Sequence, residues 1–233
     1  MKFHTINRAA RVLFILCMPI FVFSLVLGAA FNYVPLYEYG FREYDAGSRL
    51  GISEADLTGI AKELISYYVS GDEYLDIRIA IEGKVQDLFN REELIHMKDV
   101  KGLVQLDYRI LLGTFLYILA YTVIRLRWTA DRRALARSFL AGSLLTLSIM
   151  LALYLGSLWD FDWLFYRFHL IAFSNEHWSA QGYMLKLFPG GFWYDATLFC
   201  SLAMVLVSAV IGGISGGWLY RTGKGLHFQR LMS

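Results

Sequence analysis

Cysteine is scarce in this chain, and its two copies are badly placed for a cross-link. Cys17 and Cys200 stand at opposite ends, each inside an apolar run. A disulfide framework is therefore excluded, and both read as small apolar packing residues. Leu13–Cys17 reads L-F-I-L-C, the outline of a lipoprotein cleavage site. Bulky Leu16 argues against processing there, and the run is longer than the apolar part of a signal peptide, so the segment is expected to be an uncleaved anchor. Nucleotide-binding motifs are missing too: no P-loop and no G-x-G-x-x-G occurs, and no serine or cysteine sits in a nucleophile-elbow context. No H-x-x-x-H or H-x-H pair is present, and no acid stands at zincin spacing. We expect neither a metal nor a cofactor. Internal repeats and low-complexity stretches are absent as well.

Acidic residues are missing from particular segments, and that absence gives a topology. Long runs nearly free of charge cover about 12–31, 110–124, 138–158 and 196–219, in a chain that is 57% hydrophobic. A bilayer core of ~30 Å takes roughly 20 helical residues, so these are four expected transmembrane helices. The second run is short, and its helix should start near Gln105. The segments 1–11, 125–137 and 220–233 hold Lys2, Arg8, Arg11, Arg125, Arg127, Arg132, Arg133, Arg137, Arg221, Lys224 and Arg230, with Asp131 as their only acid. Every other Asp and Glu lies in the two remaining segments. By the positive-inside rule both termini are cytoplasmic, in the cell membrane of a multi-pass protein. The net charge of +2 reflects this distribution and does not point to nucleic acid.

The expected organisation follows: 1–31 first span, 32–104 extracytoplasmic cap, 105–125 second span, 126–137 cytoplasmic loop, 138–158 third span, 159–195 aromatic extracytoplasmic loop, 196–220 fourth span and 221–233 cytoplasmic tail. The fold class is an α-helical integral membrane protein, four transmembrane helices with a small α+β extracytoplasmic cap. Within the cap, Tyr33, Tyr37, Tyr39, Phe41 and Tyr44 suit an interfacial belt. Ser53 with Asp56 predicts a capping box, and Leu57, Ile60, Ala61, Leu64, Ile65 and Tyr68 recur at helical spacing, with Gly71 placed to end the helix. Alternation over 75–82 predicts a strand turning near Gly83. Asn90 and Glu93 predict the cap of a further helix carrying His96. Gly212, Gly213, Gly216 and Gly217 allow close helix packing, within one chain rather than across a dimer.

His96 and His169 are the candidate chemical groups. Imidazole changes protonation near neutral pH, and both residues stand beside hydrophobic spans on the predicted outer face. Asp99 lies three residues after His96 and Glu92 four before it, so either carboxylate could fix the ring's tautomer. Asn175 supplies an amide donor for an oxyanion, and His177 and Trp178 follow. His4 and His227 are read as ordinary surface groups. A helix rising straight through this region would lift His96 roughly 14 Å above the apolar core, at 1.5 Å per residue. The site must then be a cleft in the cap, or the helix must break, for instance at Gly102.

Several blocks resemble the bacterial lipoprotein intramolecular transacylases: Y-E-Y-G-F-R-E-Y at Tyr37–Tyr44, E-x-x-H-M-x-D-V-K at Glu93–Lys101, F-H-x-x-x-F-x-N-x-x-W at Phe168–Trp178, and L-F-P-x-x-F at Leu187–Phe192. The resemblance implies transfer of the sn-2 acyl chain of a lipoprotein's diacylglyceryl group to the α-amino group of its N-terminal cysteine, leaving a lyso-form lipoprotein. It implies His96 and His169 as the essential pair; with no nucleophile-elbow serine or cysteine, no covalent enzyme intermediate is needed. The implied partners are membrane lipids and a diacylglyceryl-modified lipoprotein. A neutral His96 would act as base and a protonated His169 as acid toward the glycerol oxygen. His177 stands where the family pattern asks for no histidine. The alternatives are a non-enzymatic membrane accessory or chaperone protein, and a metal-dependent lipid hydrolase.

Overall fold

Backbone hydrogen bonding in the computed structural model is overwhelmingly helical, and the description covers residues 2–81 and 84–231. The elements in order are α1 (Lys2–Phe31), α2 (Val34–Glu43), α3 (Ala46–Leu50), α4 (Glu54–Val69), β1 (Arg78–Ile81), β2 (Lys84–Asp87), α5 (Arg91–Arg127), α6 (Arg132–Trp159), α7 (Phe161–Ala172), α8 (Tyr183–Leu187) and α9 (Gly190–Leu231). Four of them, α1, α5, α6 and α9, are long and apolar enough to cross a membrane. The expected turn at Gly83, and the side chains of His4 and His227, lie outside the described residues.

The chain forms two compact units. The first comprises 1–26, 109–155 and 201–233. Phe14 is fully buried and packs on Tyr121 with ring centroids 4.5 Å apart, and edge-on to Phe139 at 5.0 Å. The Tyr121 hydroxyl lies 3.3 Å from Ser138 Oγ, and Tyr117 donates to the Ala10 carbonyl at 2.8 Å. Gly142 lets α1 approach α6: a Cβ there would stand 2.5 Å from Met18 Cγ. Gly212 and Gly216 turn toward Ser143 and Leu140 of α6, so half of the glycine stripe serves packing within the chain.

The second unit comprises 27–108 and 156–200. Its core joins Tyr37, Phe41, Leu57, Ile60, Leu64, Leu88 and Met97 with Leu187, Phe188 and Phe192. The Ser53–Asp56 capping box starts α4 as expected, each side chain bonding the other's backbone N–H. The helix stops at Val69, before Gly71, because Ser70 takes an extended conformation. The hairpin is antiparallel, pairing Arg78 with Asp87 and Ile81 with Lys84.

Three expectations need correction. The helix of the second span begins at Arg91, not near Gln105, and runs unbroken through Gly102. A lone glycine inside a long helix costs only about 1 kcal/mol relative to alanine, too little to break it. Segment 159–195 is largely helical, with α7 started by Asp160, whose carboxylate accepts from Trp163 N at 2.9 Å. The aromatics of 33–44 divide by helix face: Tyr37 and Phe41 are buried in the core, while Tyr33 and Tyr39 remain exposed.

Candidate active site

The N-terminal turn of α5 is built by reciprocal bonds. Asn90 Oδ1 accepts from Glu93 N at 3.0 Å, and Glu93 Oε2 accepts from Asn90 N at 2.9 Å. This capping box fixes where the helix starts and therefore which face His96 occupies. Arg91, Glu92, Glu93, Lys98, Asp99 and Lys101 populate this stretch, and so many charges keep it outside the spanning part of α5. Lys101 fastens it to the end of α4, donating to Asp72 O at 2.6 Å and Ser70 Oγ at 3.1 Å over the Tyr67 ring.

His169 sits near the end of α7. Its Nδ1 lies 2.8 Å from the carbonyl of Phe165. A carbonyl can only accept, so Nδ1 carries the proton and Nε2 presents a lone pair. The two imidazoles come together from residues 73 apart: their centroids are 6.1 Å apart and their planes inclined at 31°. Both are nearly buried, His96 at 6% exposure and His169 at 7%. Aromatics wall them in. Phe173 stands edge-on to His96 at 4.8 Å, and Phe165, Trp178 and Phe168 lie 4.3, 5.0 and 5.3 Å from His169.

Burial decides the protonation of the pair. It lowers the pKa of His96 to about 4, assisted by His169 and His177 and opposed by Asp99. Burial also lowers His169, against a smaller upward effect of its bond to Phe165. Both rings rest neutral, so a standing imidazolium at His169 is disfavoured. His96 Nδ1 is buried with no hydrogen-bond partner among the described residues, and is free to bond a substrate atom.

The remaining expected residues have other roles. Asp99 does not bond the His96 ring. Its Oδ2 accepts from Asn175 Nδ2 at 2.8 Å, and Asn175 Oδ1 accepts from His177 N at 3.0 Å. Asn175 therefore latches two segments together rather than aiming freely at an oxyanion. Glu92 is exposed and bonds nothing at the site. Trp178 faces His169. Among the described residues no three His, Cys, Asp or Glu side chains converge as metal ligands. Glu93 is fully enclosed, which the sequence alone does not show. Its capping pattern was visible, but nothing in that pattern shows that a second segment covers it.

The family profile described as lipoprotein intramolecular transacylase Lit matches residues 12–193. The chain belongs to the Lit family. It is thus an enzyme of lipoprotein modification, an integral membrane acyltransferase. Its fold is that of the membrane-integral Lit of Bacillus cereus solved in meso: TM-score 0.76 and 18% identity over 99% of this chain and 100% of that one. Two further structures of the B. cereus Lit, with one histidine replaced by arginine or by alanine, each match at TM-score 0.76 and 16% identity. They cover 96% of this chain and 96% and 97% of theirs. No curated protein sequence matches the chain significantly.

Proposed function

We propose that this Lit family member moves the sn-2 acyl chain of a diacylglyceryl lipoprotein to the α-amino group of the same molecule's N-terminal cysteine, with His96 and His169 as the proton-handling pair. The observation that carries the reading is the meeting of two neutral, buried imidazoles, one with its Nε2 lone pair set by a backbone carbonyl. In this reading the amine reacts as its free base, whose ammonium form has a free-chain pKa of about 7.7–8.0, and His169 Nε2 takes a proton from that nitrogen as it attacks. The nitrogen bonds the ester carbonyl carbon. His96, neutral and carrying one N–H, hydrogen-bonds the oxyanion that develops. On collapse the carbon–oxygen bond to glycerol breaks, and His169 returns the same proton to the departing oxygen. One proton is moved and none is left over. The amide is more stable than the ester, so no energy source is needed. Donor and acceptor belong to one molecule, which supplies much of the positioning. Asp99, Asn175 and Trp178 shape the site, and Glu92 has no part in it.

The proposed site faces the extracytoplasmic side, with both termini in the cytoplasm, because basic residues dominate the other segments. Cysteines introduced at Ser53 and Ser179 are expected to react with an impermeant thiol reagent in intact cells. Labelling only after lysis would reverse the orientation. The reaction is tested by mass spectrometry of a lipoprotein's N-terminal peptide with and without the enzyme. The expected product has an N-acylated cysteine and a free sn-2 hydroxyl. An acyl chain leaving sn-1, or free fatty acid alone, would overturn the assignment.

A further inference from the structure

Glu93 has one bond more than a helix cap requires. Besides the reciprocal bonds with Asn90, its Oε1 accepts from Met184 N at 2.7 Å, across 91 residues of chain. The side chain is fully buried, and neither ion pair among the described residues includes it. A carboxylate taken out of water without a cation is stabilised only by the N–H groups aimed at it. The chain beside it is shaped to fit: a Cβ on Gly182 would stand 2.3 Å from Glu93 Oε1. Asn90 Nδ2 adds a bond to the Gln181 carbonyl at 3.4 Å.

Glu93 and Asp99 stand three residues before and three after His96, so all three share one face of α5. Each carboxylate grips the same returning segment, Asp99 at Asn175 and Glu93 at Met184. Between those grips lies Trp178, against His169, and just before them Phe173, against both imidazoles. We infer that Glu93 is a positioning residue: with Asp99 it clamps segment 173–184 across the histidine pair, keeping water from competing with the amine for the acyl group. A loosened clamp would let water attack the sn-2 carbonyl instead. Its oxygen would bond the acyl carbon, the glycerol oxygen would leave with a proton from water, and free fatty acid would appear.

This inference rests on the acyl-transfer reading above. Glu93→Gln separates the clamp from the cap. Glutamine is accepted at this position of a capping box, and its carbonyl can still serve Asn90 N. Its amide nitrogen would then oppose Met184 N–H, donor against donor. In the reconstituted full-length enzyme with a synthetic diacylglyceryl lipopeptide, turnover to the N-acyl product is expected to fall roughly 10–100-fold, the scale of a ~1 Å misplacement. The ratio of free fatty acid to N-acyl product should rise at least several-fold over wild type. Gly182→Ala should act in the same direction. In a Glu93→Ala background it should add little, because both substitutions remove one contact. Wild-type turnover in Glu93→Gln overturns the clamp, as does lost turnover with no rise in that ratio. Absence of N-acyl product from the wild-type enzyme would instead refute the acyl-transfer reading itself.

Discussion

The two units bury polar side chains in opposite ways. In the first, two buried hydroxyls serve their own helix: Ser138 donates to Ala134 O and Thr146 to Gly142 O, each four residues back. Such bonds satisfy a hydroxyl without involving a neighbouring element. In the second, the buried groups are titratable and reach across the chain, as Glu93 does to Met184 and Asp99 to Asn175. Bonds of the first kind form in any helix and hold nothing else in place. Bonds of the second kind exist only when remote segments are placed correctly, and what they place here is the histidine pair. The proposed chemistry thus rests on bonds of the second kind.

The sharpest way to break that comparison is to remove an imidazole. His96→Ala and His169→Ala are each expected to lower formation of lyso-form lipoprotein by about 10²–10⁴-fold, the usual contribution of acid–base assistance. Folding and insertion should be retained. The double variant should lose little more than either single one, since groups acting as a unit are not additive. A loss of only a few-fold, measured by mass spectrometry of the product, would remove the pair from the chemistry. The pH profile sharpens the same point. Both histidines have lowered pKa values, His96 to about 4, so they stay neutral as pH falls through 6.5. Activity should rise between pH 7 and 8 with the substrate's amine and show no histidine step at 6.5. A clear inflection there in single-turnover rates would show that the rings are not desolvated.

Substitution in the first unit should reach the fold and leave the reaction alone. Gly142→Val would press on Met18, and overpacking of this kind costs about 1–3 kcal/mol. A lower thermal midpoint in detergent, with normal turnover per folded molecule, is the expected result. Impaired turnover at a normal midpoint would blur the division between the units. His177→Ala should have a smaller effect, within a few-fold, because only its backbone N–H bonds Asn175, and alanine keeps that bond. The smallest effect, none measurable, is expected from a strong chelator added to the purified enzyme. Activity lost to chelation and restored by zinc would favour the metal-dependent hydrolase reading.

Much of this was legible in the residues. The four spans follow from charge-free length, and the Ser53 and Asn90 caps from side chains three residues apart. His96 and His169 stood out because imidazoles beside spans are unusual. What was missed is non-local. Helical spacing sets Asp99 beside His96, yet it bonds Asn175, 76 residues away. Spacing ranks neighbours on one helix and says nothing of a partner on another. The helix also runs unbroken through Gly102. Helix continuity depends on cumulative propensity over many residues, and one glycine does not outweigh them. The resting charge of the histidines was not readable either, because burial sets it, and burial belongs to the folded chain.

The long separation between Glu93 and Met184 also sets an order in time. At roughly 5–20 residues per second, the ribosome adds Met184 about 5–18 s after Glu93. The Asn90 box needs only residues already made, so it can form at once. The bond to Met184 must wait for 91 further residues. One carboxylate is therefore finished in two instalments, and the pair of imidazoles is not walled in until most of the polypeptide has been synthesised. In the proposed mechanism, a nascent chain bearing His96 alone would be catalytically silent.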